Sequence, residues 1–147
     1  MGNNKNKEHI KKADIRHEAR KIALCILFAQ IYQKNKNFKE FIPDIKELLE
    51  IDSYDKDLTS FLVSGVSDNL EVIDDIIEYC APEWPLSQVS RVDLSVLRLA
   101  VFELTIAQNA PPKVVINEAV EIAKTFANDS SGKFVNGVLA TVLTNYR

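Results

Sequence analysis

Apolar residues recur every three or four positions along most of this chain, the spacing of one face of an α-helix. Ile15, Ala19, Ile22, Ala23, Ile26 and Leu27 mark a first helix from about Ala13 to Gln33, and Asn35, Lys36 and Asn37 make a turn after it. Phe38, Phe41, Ile42, Ile45, Leu48 and Leu49 mark a second amphipathic helix, with Pro43 inside its first turn, where proline is tolerated. Leu58, Leu62, Val66, Leu70, Ile73 and Ile77 fall on one stripe of a long helix that should end near Cys80, because Pro82 and Pro85 forbid continuation. Residues 81–85 form the strongest internal boundary. From Leu94 to Ala107 the chain is apolar on nearly every side, interrupted mainly by Arg98 and Glu103, which predicts a buried central helix. Pro111-Pro112 opens another helix, with Val115, Ile116, Ala119, Val120, Ala123 and Phe126 inward. Asn128-Asp129-Ser130-Ser131 is an N-cap cluster for the last helix, whose core face is Val135, Val138, Leu139, Val142 and Tyr146. No segment alternates with period two, and no unit repeats at 20–50 residues, so the pattern predicts an all-α protein. It divides into a flexible basic arm (1–12) and one domain (13–147) with helical halves 13–81 and 82–147.

Composition changes this picture little. The chain is 46% apolar and 27% charged, ordinary values for a globular domain, so chain-wide disorder is not expected. Four glycines and five prolines are little punctuation, which favours long helices over many turns. No run of about 18 apolar residues exists to span a membrane, and the polar N-terminus lacks the apolar core of a signal peptide, so the expected location is cytoplasmic. Charge is unevenly placed. The first 21 residues carry seven Lys or Arg against three acids, whereas the remainder is net acidic. A basic arm on an acidic body fits a polyanion at one end and a different partner elsewhere, and equally a solvated tail.

Catalytic chemistry is thin. His9 and His17 have no cysteine near them, so no zinc site has recognised spacing, and no glycine-rich phosphate loop exists. Asp52, Asp55 and Asp57 lack the glycine and terminal glutamate of a calcium loop. Asp74 and Asp75 are neighbours that point apart on a helix and read as a solvated face. Cys25 and Cys80 form no CxxC pair and read as small buried side chains. The chain reads as a binding protein with no cofactor, not as an enzyme.

Two surfaces stand out. On the first helix, Arg16 and Arg20 are four apart and present guanidinium groups, which suit phosphate oxygens, to one side. His17, Lys21, Leu24 and Phe28 follow another line, and Phe28 lies nearly opposite the core stripe, so it meets either another helix or a partner. The second surface is the start of the last helix. Ser130, Ser131, Gly132 and Lys133 bring hydroxyls, backbone N–H groups and a cation to the positive end of a helix dipole. Asn136 and Gly137 flank Lys133, and Phe134 sits at the edge of the core stripe, able either to complete the core or to stack on an unpaired base.

Three blocks then carry a resemblance: Arg91-Val92-Asp93 with Leu97 to Leu104, Pro112 to Lys124, and Lys133-Phe134-Val135-Asn136-Gly137-Val138-Leu139. In this order they resemble the NusB transcription antitermination family, and Arg16-His17-Glu18-Ala19-Arg20 with Leu27-Phe28 is similar to that family's opening. The resemblance covers essentially the whole chain. It implies about seven helices in two small bundles packed together. It implies binding of boxA-type single-stranded RNA together with NusE, a small-subunit ribosomal protein, within the RNA polymerase antitermination complex that supports ribosomal RNA transcription. RNA-facing residues carried over by it are Arg16, His17, Arg20, Ser130, Ser131, Lys133, Phe134 and Asn136. Phe28 stands where the family usually has a Tyr that contacts NusE, and Asp93 matches an acidic position also used for NusE. Two other readings are an RNA-binding helical scaffold like that of the ribosomal RNA cytosine methyltransferases, and a self-associating structural protein. Monomer and homodimer are both open at this point.

Overall fold

A computed structural model describes residues 3–34 and 37–147, with side chains placed for 15–34 and 37–147. The arm cations Lys5, Lys7, Lys11 and Lys12 and the turn residues Asn35 and Lys36 lie outside the described side chains. Among the described residues all regular structure is helical, as the spacing predicts: seven α-helices with two short 3₁₀ turns and one π-helical segment. None of these helices is long and apolar enough to cross a membrane. The chain divides into two compact units, Met1–Phe61 and Leu62–Arg147. The division falls inside a helix and not at the proline-rich segment near residue 82. The reason is that the helices on either side of those prolines pack on each other, so the prolines make a corner within the second unit.

In the first unit α1 spans Asn3–Tyr32. It starts ten residues before the apolar spacing begins. Ala19, Ile22, Ala23, Ile26 and Leu27 are buried, as their spacing requires, and so is Leu24. The second amphipathic segment is two elements, a 3₁₀ turn Phe38–Glu40 and α2 Ile42–Leu49. The Asn37 side chain accepts from the Lys39 N–H at 3.1 Å and starts the turn, and Pro43 lies in the first turn of α2. Glu50, left-handed at φ 55°, ends it. α1 packs on α2. The chain then ties back to α1: the Asp55 N–H donates to the Ile15 carbonyl (3.2 Å), and the buried Thr59 hydroxyl donates to the Ala19 carbonyl (3.0 Å). Asp55 itself caps α3, Lys56–Asp68, by accepting from the Leu58 N–H at 3.0 Å. That local duty accounts for one of the three aspartates, which lack the pattern of a calcium loop.

In the second unit the expected long helix is broken at Asn69 into α3 and α4, Leu70–Cys80. Ser67-Asp68-Asn69 are weak helix formers whose side chains compete for backbone groups. Here the Asn69 amide donates to the Gly65 carbonyl at 2.8 Å, occupying an acceptor the helix would use. α5, Arg91–Val101, is the central helix, packed against α4, α6 and α7. It buries every residue from Asp93 to Val101 except Arg98. Arg98 is accommodated by a two-pronged ion pair, Nε to Asp74 Oδ1 and Nη2 to Asp74 Oδ2, both 2.9 Å. Asp74 is therefore half of a partly buried ion pair and not a solvated neighbour of Asp75. The helix continues as a π-helical segment, Phe102–Ala107, closed by Gln108 at φ 47°. The buried Glu103 carboxylate there accepts from the Asn109 amide at 3.1 Å. α6, Pro112–Phe126, and α7, Asp129–Tyr146, make the most extensive helix pairing of the unit. Val135, Val138, Leu139 and Val142 face its core, while Tyr146 is 39% exposed and meets the exposed Tyr79 ring edge-on at 6.1 Å.

Candidate nucleic-acid interface

The start of α7 is built by its cap. Asn128 is fully extended, and its side-chain oxygen accepts from the Ser131 N–H at 2.9 Å. Ser131 is thereby buried, with its N–H used inside the fold, so it cannot offer that group to a phosphate. The first-turn N–H groups of Asp129 and Ser130 have no acceptor within the helix and lie at its positive end. Ser130, Lys133, Asn136 and Gly137 are all exposed on the side away from the core. No atom lies within 4 Å of where a Gly137 side chain would begin, so this part of the helix is open to close approach.

Phe134 is half-buried, and its ring meets Trp84 edge-on at 6.0 Å between centroids. Trp84 stands on a tight turn between two prolines, its N–H donating to the Ala81 carbonyl at 3.0 Å, and it is 52% exposed. This aromatic pair borders two open grooves. One, about 340 Å³, has Lys133, Glu83 and Gly137 around it. The other, about 320 Å³, is lined by Ser130, Ser131, Asn128, Ser90 and Asp93. Asp93 is 9% exposed. Its N–H donates to the Ser90 hydroxyl at 3.1 Å, and its Oδ1 is buried without a hydrogen-bond partner.

Five of the residues singled out from sequence, Ser130, Ser131, Lys133, Phe134 and Asn136, thus belong to one stretch of α7. The fold adds Asp93 to them, although the resemblance grouped Asp93 with Phe28. Sequence reasoning missed Trp84, treating it only as part of a boundary. The signal was available: it is the one tryptophan of the chain, set between prolines where no helix can bury it.

In the first unit Arg16 is exposed and His17 half-buried. Arg20 is placed differently from expectation: it is 4% exposed and does not share the surface with Arg16. α1 is buried over more of its circumference than its apolar stripe implies, and the enclosed side includes Arg20 and Leu24. Phe28 is half-buried and meets the exposed Tyr32 ring edge-on at 5.5 Å. Lys21 pairs with Glu18 at 3.4 Å. Burial pushes the Cys25 thiol up to about 11, against a weaker opposing pull from Lys21, and burial raises the Cys80 thiol too. Neither is a thiolate at neutral pH, so neither is poised as a nucleophile.

Fold and site together define an all-helical protein with an aromatic pair and an exposed lysine at a helix start. The sequence profile of the NusB family matches residues 17–144. The chain is 42% identical over 132 residues to the transcription antitermination protein NusB of Herpetosiphon aurantiacus, covering 88% of this chain and 90% of that one. Its fold is similar to that of T. maritima NusB, with TM-score 0.75 and 33% identity over 89% and 92% of the two chains. It is also similar to a chain in a crystal structure of the antitermination factors NusB and NusE in complex with double-stranded RNA, with TM-score 0.73 and 29% identity over 88% and 96%. The chain belongs to the NusB family.

Proposed function

We propose that this protein is a cytoplasmic transcription antitermination factor, not an enzyme, that binds boxA-type single-stranded RNA jointly with NusE and so supports ribosomal RNA transcription. The observation that carries the reading is the surface of α7. There the helix start, the exposed Lys133, the open backbone at Gly137 and a half-buried ring on a second exposed ring lie side by side. Cations and helix N–H groups hold phosphates and set register, while rings and amides engage unpaired bases. Lys133 and the start of α7 take the first task in the second unit, and Arg16 and His17 take it in the first. Phe134 and Asn136 take the second task. Arg20, being enclosed, supports α1 from inside. Phe28 and Tyr32, an aromatic pair on α1, are assigned to NusE.

Fluorescence anisotropy of a labelled boxA-type RNA, with and without NusE, at several salt concentrations tests this. Binding should be tighter with NusE and should weaken with salt. Lys133→Ala should lower affinity and flatten the slope of log affinity against log salt by about one phosphate contact, roughly 0.7 for single strands. An unchanged slope would remove Lys133 from the RNA surface. Phe28→Asp should leave circular dichroism intact while weakening NusE capture in the absence of RNA, and undiminished capture would count against the aromatic contact.

A further inference from the structure

Gly132 is a buried glycine in the opening turn of α7, where almost any other residue would make the better helix. Its bare backbone has a use. A side-chain carbon there would lie 2.7 Å from Lys124 Cγ, 2.9 Å from Cε and 3.3 Å from Cδ. The Lys124 stem therefore lies flat across the glycine, on a seat that a side chain would fill. Lys124 belongs to the last turn of α6, so its stem bridges the two helices and carries its charge to the start of α7. Long cationic side chains bury their methylenes in this way while the head stays in water. Lys124 is exposed, and among the described residues its ammonium has no hydrogen-bond or ion-pair partner. A cation in the last turn of a helix complements the dipole of that helix, but this does not account for a stem laid over the neighbouring one.

The rest of α7 gives that position its meaning. At about 100° per residue, Asn136, Lys133, Gly137 and Phe134 follow Gly132 round the helix, at roughly 40°, 100°, 140° and 200°. The exposed arc of α7 thus runs from the Lys124 stem at one edge to the Phe134–Trp84 pair at the other, with Lys133 midway. Two cations on one arc beside a pair of rings suit a single strand that crosses the helix, its phosphates drawn to the charges and its bases turned to the aromatic edge. An ammonium already held by its stem loses less side-chain freedom on binding than a free one.

We propose, resting on the RNA-binding reading above, that Lys124 is a second phosphate contact of the α7 surface, seated by Gly132, and that the RNA backbone crosses α7 from the aromatic pair past Lys133 to Lys124. Lys124 is a positioning contact. It adds affinity and fixes the path of the strand, and it carries no base preference.

The test is anisotropy of a labelled boxA-type RNA on the full chain with NusE, over a series of salt concentrations. Lys124→Gln should lower affinity and reduce the slope of log affinity against log salt by about 0.7, the value of one single-strand phosphate. Lys124→Arg, which keeps the charge, should keep the slope. Lys124→Gln combined with Lys133→Ala should reduce it by about 1.4, because the two cations meet different phosphates. Gly132→Ala keeps both charges but displaces the stem, so it should weaken binding in the parent and add nothing in the Lys124→Gln background. Lys113→Gln, at the other end of α6, should leave the slope alone. An unchanged slope in Lys124→Gln would overturn the proposal. So would an equal fall in Lys113→Gln, which would make the effect one of net charge. A Lys124→Gln variant that keeps the slope but captures less NusE without RNA would overturn it too, by making Lys124 a protein contact. If Lys133→Ala still flattens the slope in any of these cases, only the Lys124 contact has failed. If the parent chain shows no salt-sensitive binding, the RNA-binding reading has failed with it.

Discussion

Replacing Gly65 with alanine should destabilise the protein, although the same exchange at most helical glycines stabilises by about 0.5–1 kcal/mol. A side-chain carbon at Gly65 would lie 2.0 Å from Phe102 Cζ and 2.5 Å from both Cε atoms. Real contacts of that kind do not occur, so α3 or the ring must move. Phe102 is 3% exposed at the start of the π-helical segment, in the core of the second unit, and has nowhere to swing. Overpacking of this kind costs about 1–3 kcal/mol, and more where a rigid ring is the obstacle. For a chain of this size each kcal/mol lowers the melting temperature by roughly 2–4 °C, so a fall of several degrees is expected. Combining Gly65→Ala with Phe102→Leu, which clears the obstructing atoms, should cost less than the two changes added separately. A Gly65→Ala variant as stable as the parent would show that the ring is not held against the glycine.

Cutting the Asp74–Arg98 pair from one side should have a comparable effect. Arg98 is the one residue from Asp93 to Val101 that α5 does not bury, and its guanidinium meets both Asp74 oxygens at 2.9 Å. The two side chains are 16% and 22% exposed, so the pair is shielded but not dry. Asp74→Ala leaves the guanidinium without its acceptor in that setting. The expected loss is about 1.5–3 kcal/mol, the range for hydrogen bonds to charged groups and below the cost of orphaning a fully buried ion. Adding Arg98→Met to Asp74→Ala should restore much of it, because an apolar side chain suits the helix face better than an unpaired cation. Chemical denaturation of the two variants decides this, and a double variant no more stable than Asp74→Ala would show that the charge is not what the single change exposes.

Much of the fold was legible because burial imposes a period. Ala19, Ile22, Ile26, Val135, Leu139 and Val142 declare their helices by spacing, and all are buried. Helix ends were legible where a side chain does the capping, as at Asn128. What was hidden has physical causes. The break at Asn69 depends on an amide reaching a carbonyl four residues back, while the apolar stripe runs on unbroken through it. The placement of Asp74 against Arg98 joins residues 24 apart, which no local pattern encodes. The same holds at the candidate site. The α7 residues lie within a few positions of one another and could be grouped from sequence. Trp84 and Asp93 join them only through tertiary packing, and Arg20 is enclosed although its spacing from Arg16 is ideal for a shared surface.

Trp84 is the single tryptophan among 147 residues, and the fold sets it between the two grooves with half its surface in water. Indole emission shifts and dims with the polarity and the stacking of its surroundings. The chain therefore carries an intrinsic optical reporter at the place where a ligand would lodge. Occupation of either groove registers in its spectrum without a dye, and the four tyrosines, which emit at shorter wavelength, leave that signal uncrowded.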